Sequence, residues 1–265
     1  MKLNKTKIVA TLGPSSSSRS MLKKLLNAGV DAFRINFSHA SYENTSQTIK
    51  LIRELSAELK IHASILADLQ GPKIRLGTVK ENTFLKKGGD LSVTTKEVAL
   101  GDEKLVSINY ANFPKDVNPG EKVLINDGKL ICKVLESDKK TLVKLKVVQG
   151  GALESRKGVN LPNTKISMPA LTNKDKEDAL FAIKHKLDWI ALSFVRSKKD
   201  VLLLKNLIQK NSKQNIPIIA KIEKPEAIEN MNEIIRKADG IMVARGDLGL
   251  EIPSEEVPLY QKMLV

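Results

Sequence analysis

The feature that most constrains the fold is a repeated pattern of a short apolar run, a polar turn and an amphipathic stretch. It begins with KIVATLGP at residues 7–14 and SRSMLKKLLNAG, and recurs through SYENTSQTIKLIRELSAELK, DWIALSFV, IPIIAKIE and DGIMVARGDLG. Runs that are apolar on both faces and alternate with helices indicate a parallel sheet. About six such units predict an α/β fold of the (β/α)8 TIM-barrel type that is incomplete here, because a closed barrel has eight strands.

A different pattern interrupts these units. Short alternating runs such as DLSVTT, KLVSI and KTLVKLKVVQGG are bounded by Gly, Asn and Asp, and NDG at residues 126–128 is typical of a hairpin turn. We therefore predict a first barrel segment at residues 1–77 and an inserted small all-β lid domain at residues 78–158. A second barrel segment at residues 159–265 completes the predicted organisation.

The composition narrows the classes of partner. The net charge is +14, but the lysines are scattered over amphipathic segments and form no compact basic block with aromatic residues. We therefore expect no nucleic acid and favour small anionic substrates. No run approaches the roughly 18 apolar residues of a membrane helix, so we expect no membrane partner. The single Cys132 and the lack of a signal-like start favour the cytoplasm.

Three predicted strands end in polar side chains at alternate positions, which share one face of a strand. The rows are Arg34, Asn36 and Ser38 in RINFS, Lys221 and Glu223 in AKIE, and Arg245 and Asp247 around Gly246 in ARGDLG. Each row alone has a simple alternative, since strand ends are often charged where they meet water. Together they indicate a site, because barrel enzymes keep their catalytic groups at the carboxyl ends of the strands.

Seven stretches occur in an order that resembles a known family. They are TKIVATLGPSS, FRINFSHA, DLQGPKIRLG, KGVNLP, IALSFVR, AKIEKPEAIEN and GIMVARGDLG. Together they resemble the pyruvate kinase family over nearly the whole chain, with the β-rich insert where that family has its B domain. The resemblance implies transfer of a phosphoryl group from phosphoenolpyruvate to ADP, giving pyruvate and ATP in the last step of glycolysis.

The resemblance also implies roles for the matching residues. Arg34 and Lys221 are the implied catalytic residues, binding the phosphoryl group and neutralising charge on it and on the developing enolate. The other implied roles are substrate binding by Gly246 and Asp247, Mg²⁺ (or Mn²⁺) binding by Glu223 and Asp247, nucleotide binding by Asn36, Arg75 and Lys157, and a monovalent-cation site at Asn36, Ser38, Asp68 and the backbone carbonyl of Leu69.

One departure from the family pattern is Lys73 in GPKIR, where many members have Glu. In the family, Glu accompanies dependence on K⁺, and Lys accompanies independence from it. A lysine ammonium can supply the positive charge that the cation would bring. We therefore expect that K⁺ is not required. The alternative is a solvent-facing Lys73 with no bearing on the cation site.

A second departure is length, because the family's last two barrel strands and its C-terminal domain are absent. We expect a fragment with little or no activity alone, derived from a full-length form that is a homotetramer. Two alternatives are a catalytically silent remnant that binds ligand or partner, and another Mg²⁺-enolate barrel enzyme such as a lyase or aldolase. No chemistry is assigned to His39, His62, Cys132, His185 or Trp189.

Overall fold

A computed structural model describes residues 5–162 and 164–265, so the first four residues of the predicted first barrel segment lie outside the described residues. The strands of the described part are β1 (Val9–Thr11), β2 (Ala32–Asn36), β3 (Ser64–Asp68), β4 (Phe84–Leu85), β5 (Asp90–Thr94), β6 (Leu105–Ser107), β7 (Lys122–Ile125), β8 (Leu130–Ser137), β9 (Leu142–Gln149), β10 (Gly151–Ala152), β11 (Val159–Asn160), β12 (Trp189–Leu192), β13 (Ile218–Ile222) and β14 (Gly240–Val243).

The helices of the described part are α1 (Arg19–Asn27), α2 (Tyr42–Leu59), α3 (Phe113–Asp116), α4 (Asn173–Lys184), α5 (Lys198–Asn211), α6 (Pro225–Glu229), α7 (Met231–Ile235), α8 (Arg245–Glu251) and α9 (Val257–Leu264). No helix of residues 5–162 and 164–265 combines the length and the apolar character needed to cross a membrane.

The chain divides into two compact units. The first comprises Met1–Gly71, Ala170–Ile222 and Glu229–Met242, and the second comprises Pro72–Pro169, Glu223–Ile228 and Val243–Val265. The second unit thus contains the predicted β insert together with two later segments of the chain. The predicted boundaries at residues 77 and 158 stay predictions.

Within the described residues, six strands form the sheet of the barrel domain in the order β1-β2-β3-β12-β13-β14. The pairs β1–β2, β2–β3, β3–β12 and β12–β13 are parallel. The central strands β3 and β12 are buried on both faces, because the consecutive residues Leu66 and Ala67, and likewise Ile190 and Ala191, are buried. An α/β fold with an incomplete TIM-type barrel is therefore confirmed, and its sequence basis is the apolar run of each strand.

Local sequence signals set the helix ends in the first unit. Ser18 and Ser41 cap α1 and α2 through hydrogen bonds that their hydroxyls accept from the backbone N–H groups of Met21 and Asn44. After α1, Gly29 adopts φ +96°, a conformation that favours glycine and ends the helix as the sequence indicates. The two capped helices, α1 and α2, pack against each other.

The predicted insert in the second unit is mostly β-structure, although the short helix α3 also lies within it. Strands β11-β7-β8-β9-β5-β6 form one sheet of the described residues, and β7 and β8 pair as an antiparallel hairpin. Asn126, Asp127 and Gly128 connect them with positive φ at all three residues, which Asn, Asp and Gly tolerate best. The inner face is apolar, with Leu91, Val143 and Leu145 fully buried.

All three predicted polar rows extend past the ends of their strands, and in AKIE it is Glu223 that lies just after β13. Arg245 and Asp247 do not share a strand face, because β14 ends at Val243 and both residues belong to α8. Residues two apart on a helix point in different directions, so the strand argument for ARGDLG is wrong. Ser38 also lies beyond the end of β2, in the turn that follows Asn36.

The buried Asp175 offers a test of how this first unit is held together. Its Oδ2 accepts from the N–H and hydroxyl of Thr172 at the start of α4, and its Oδ1 accepts from the N–H of Gly71, 2.9 Å away. We expect Asp175→Ala to lower the free energy of unfolding by about 2–3 kcal/mol, because a helix cap and a buried N–H lose their partner. Urea unfolding measures the change. The exposed neighbour Glu177→Ala is the control, and equal stability of the two variants would contradict the expectation.

Candidate active site

The first unit brings two cations onto one buried carboxylate. Asp68, the last residue of β3, is 2% exposed, and its Oδ2 accepts a hydrogen bond from Nε of Arg34 at 2.7 Å and is also ion-paired with Nη2. Nζ of Lys221 lies 3.1 Å from Oδ1 and 3.4 Å from Oδ2 of the same carboxylate. The predicted residues Arg34, Asp68 and Lys221 therefore meet near the carboxyl ends of β3 and β13, with Arg34 reaching from the middle of β2.

Two hydroxyl side chains complete this cluster. Thr11, at the end of β1, accepts a hydrogen bond from Nη1 of Arg34 at 2.8 Å. Ser193, directly after β12, accepts one from Nζ of Lys221 at 2.8 Å and donates one to the backbone carbonyl of Leu69 at 2.7 Å. Neither residue is predicted to have a role from the sequence, although both lie inside stretches that carry the family resemblance.

The oxygens of the implied monovalent-cation site also belong to the first unit. Oδ1 of Asn36 accepts from the backbone N–H of Ser38 at 3.0 Å, so the turn after β2 is held by the side chain that the resemblance assigns to the cation. The Leu69 carbonyl and the Asp68 carboxylate complete an all-oxygen set. Such donors fit a hard cation, and a carbonyl oxygen has a second lone pair beyond the one that Ser193 uses.

Arg75 and Lys157, the implied nucleotide-binding residues, come together in the second unit. The backbone N–H of Leu76 donates to the carbonyl of Lys157 at 3.0 Å, and Nη1 of Arg75 donates to the carbonyl of Arg156 at 3.1 Å. Lys157 forms an ion pair with Glu154 at 2.6 Å. The second unit also contains Lys73, whose side chain is exposed.

The implied magnesium carboxylates differ in burial. Glu223 directly follows β13 and is 1% exposed, whereas Asp247 is exposed in the first turn of α8. Gly246 beside it has open space, since a Cβ there would meet no atom of the described residues within 4 Å. Residues 5–162 and 164–265 contain no group of three or more His, Cys, Asp or Glu that could hold a metal. A pair of carboxylates is smaller than such a group, and its hard oxygens fit Mg²⁺.

A buried ion pair flanks these carboxylates in the second unit. Nζ of Lys224 lies 2.8 Å from Oε1 of Glu251, with side-chain exposures of 7% and 1%. Nδ2 of Asn160 donates to the same oxygen at 3.0 Å. Lys224 is the neighbour of Glu223, and Glu251 is four residues after Asp247. No sequence signal marked this pair, because its members look like ordinary surface charges.

A cavity of about 730 Å³ lies in the first unit beside Asn36. Its lining includes Gly13, Pro14, Ile35, His39 and Asn44. The lining combines apolar and polar side chains, as small-molecule sites do. His39 was assigned no chemistry from the sequence, and its place on the cavity wall is a finding of the structure.

Cys132 and His185, two other residues without assigned chemistry, have surroundings that fit a packing role. Burial raises the pKa of the Cys132 thiol to about 12, so it stays protonated near neutral pH. Burial lowers the pKa of His185, whose Nε2 lies 3.1 Å from Oγ of Ser46 and whose ring lies against Phe181. Both groups therefore remain uncharged at neutral pH, which suits packing.

Charged side chains at the carboxyl ends of strands in an incomplete parallel barrel define the class as a barrel-type α/β enzyme. The family model for the barrel domain of pyruvate kinase matches residues 3–265. The chain therefore belongs to the pyruvate kinase family.

Individual relatives agree with the family model. A pyruvate kinase of Thermotoga maritima is 45% identical over 264 residues, which cover 99% of this chain and 56% of the relative. Pyruvate kinase 2 of a Synechocystis species is 45% identical over 267 residues, covering 98% of this chain and 44% of the relative. A pyruvate kinase of Thermococcus litoralis is 41% identical over 263 residues, covering 99% and 55%. The chain thus spans about half the length of these curated relatives.

The buried ion pair in the second unit yields a stability prediction. We expect Glu251→Ala to lower the free energy of unfolding by about 3–5 kcal/mol, because the buried Lys224 ammonium loses its partner. Replacing both residues by Met should restore most of the stability, since it removes both charges. Urea unfolding compares these variants with Glu136→Ala, which breaks an exposed ion pair with Lys144. A loss for Glu251→Ala no larger than that of the control would contradict the expectation.

Proposed function

We propose that this chain supplies the phosphoenolpyruvate, magnesium and nucleotide residues of a phosphotransferase that forms pyruvate and ATP from phosphoenolpyruvate and ADP. The observation that carries the proposal is the convergence of Arg34 and Lys221 on the buried Asp68. Family membership supplies the reaction, and this cluster supplies a cationic site for a phosphorylated acid. Because the chain spans about half the length of its relatives, the activity of a whole enzyme is part of the proposal.

Arg34 and Lys221 act by positioning and charge. The Arg34 guanidinium carries planar donors that match phosphate oxygens, and 27% of its side chain is exposed to an incoming ligand. The Lys221 ammonium, held by Asp68 and Ser193, would face the charge that develops on the transferring phosphoryl group and the enolate. Phosphoryl transfer depends on such preorganised charge rather than on covalent help from the protein.

Glu223 and Asp247 would hold the divalent cation, with Gly246 and Asp247 beside the substrate. A magnesium ion held by these two carboxylates would leave coordination positions for substrate oxygens and would supply positive charge beside the phosphoryl group. Glu223 is buried, and its carboxylate oxygens are hard donors of the kind that Mg²⁺ prefers.

The cavity beside Asn36 supports a place for part of the nucleotide. Its volume suits a small organic group, and Asn36 on its wall is a residue that the resemblance assigns to the nucleotide. Arg75 and Lys157 would bind nucleotide phosphates from the second unit. We place the full-length form in the cytoplasm as a homotetramer, on family resemblance alone.

Binding and turnover test this function separately. Calorimetry with Mg²⁺ should show phosphoenolpyruvate binding to this chain, weakened at least about tenfold by Lys221→Met because a charge-assisted hydrogen bond is lost. Lys176→Met, which removes an exposed lysine of α4, is the matched control and should bind as the unmodified chain does. Absence of phosphoenolpyruvate binding, or equal affinity of the two variants, would contradict the proposal.

A coupled assay of ATP production separates the alternatives. Binding without ATP formation would assign this chain the silent, ligand-binding role. Binding of phosphoenolpyruvate without ADP binding would favour a lyase or aldolase, because such an enzyme needs no nucleotide.

The same assay tests the role of Lys73. We expect activity that is unchanged when K⁺ is added, because the lysine ammonium supplies the charge of the monovalent cation. Lys73→Glu should make the rate depend on K⁺, whereas Lys80→Glu, at another exposed lysine of the second unit, should not. The assay requires the longest active form of the protein. A large increase with K⁺ in the unmodified enzyme would show that Lys73 has no bearing on the cation site.

A further inference from the structure

We propose that Ser193 is the positioning residue for Lys221, and that it ties this lysine to the loop after β3. The inference rests on the proposed function for its catalytic meaning, but the contact itself is independent of it. Ser193 is 2% exposed and follows β12, whereas Lys221 lies on β13, the neighbouring strand of the sheet.

The direction of both hydrogen bonds follows from the chemistry of the groups. A lysine ammonium has donors and no acceptor, and a backbone carbonyl is only an acceptor. Oγ of Ser193 must therefore accept from Nζ of Lys221 at 2.8 Å and donate its one hydrogen to the Leu69 carbonyl at 2.7 Å. The hydroxyl thus presents a lone pair to the ammonium, and the Leu69 carbonyl keeps the hydroxyl from rotating away.

The residue after Ser193 has a strained backbone conformation, and the loop after β3 packs closely against Ser193. Phe194 adopts φ +53°, which is unfavourable for a bulky side chain and occurs mainly at functional sites. A Cβ added to Gly71 would lie 2.8 Å from Cδ2 of Phe194 and 2.9 Å from Cβ of Ser193. Only a glycine at position 71 allows the loop after β3 to approach Ser193 this closely.

This arrangement joins the lysine to the implied cation site. Asp68 and the Leu69 carbonyl are both assigned to that site. Asp68 contacts the Lys221 ammonium directly, whereas the Leu69 carbonyl is linked to it through the Ser193 hydroxyl. A cation bound by these oxygens would therefore influence the Lys221 ammonium through Asp68 and through the hydrogen bonds of Ser193. Ser193 is the residue that transmits the position of the Leu69 carbonyl to the ammonium.

The first experiment observes the ammonium itself and needs no ligand. In a ¹⁵N-labelled chain, the lysine ammonium signal of Lys221, assigned by its loss in Lys221→Met, should be visible because a buried, hydrogen-bonded group exchanges slowly with water. Ser193→Ala should speed that exchange about tenfold or more, because one acceptor is lost. Ser56→Ala is the control, since its buried hydroxyl in α2 has no hydrogen-bond partner among the described residues. Absence of the signal in the unmodified chain, or equal exchange in both variants, would overturn the proposal.

Phosphoenolpyruvate binding then separates this inference from the proposed function. Where the unmodified chain binds, Ser193→Ala should bind about tenfold more weakly and Ser56→Ala unchanged, because only the first loosens Lys221. Equal binding by both variants would overturn the catalytic meaning of Ser193 and leave the proposed function intact. No binding by the unmodified chain counts against the proposed function alone, since the ammonium exchange still decides whether Ser193 holds Lys221.

Discussion

The buried carboxylate of Asp68 is the interaction on which the candidate site depends. Without it, the Arg34 guanidinium and the Lys221 ammonium would be two like charges in a poorly solvated place, where repulsion is weakly screened. With it, each of the two cations contacts a carboxylate, and this attraction offsets the repulsion between them. The cluster therefore holds two cationic side chains close together, which is the arrangement that the proposed phosphorylated substrate would need.

The sequence predicts the fold well because the signal is periodic and repeated. Apolar runs in β3, β12 and β13 are recognisable from a few residues each, and the burial of these strands follows from that pattern alone. The ends of elements carry a weaker signal. ARGDLG looks like the end of a strand, yet Arg245 begins a helix, and only the surrounding packing decides between the two.

The candidate site was predictable only where the chemistry is visible in a short stretch. Arg34, Asp68 and Lys221 stand out as charges beside apolar runs, and the family resemblance gives them roles. Ser193 could not be found in this way, because its partners Lys221 and Leu69 are 28 and 124 residues away in the chain. The ion pair of Lys224 and Glu251 was hidden for the same reason.

Stability alone does not account for these buried charges. Buried ion pairs can often be replaced by apolar side chains at no cost, so Lys221, Asp68 and the Lys224–Glu251 pair add little that an apolar core could not provide. The left-handed Phe194 also costs free energy. Asp68, Lys221, Phe194 and Lys224 lie at or just after the carboxyl ends of β3, β12 and β13, where barrel enzymes carry their sites. Their cost is explained if the loops serve a charged substrate, and it has no evident purpose if they serve the fold.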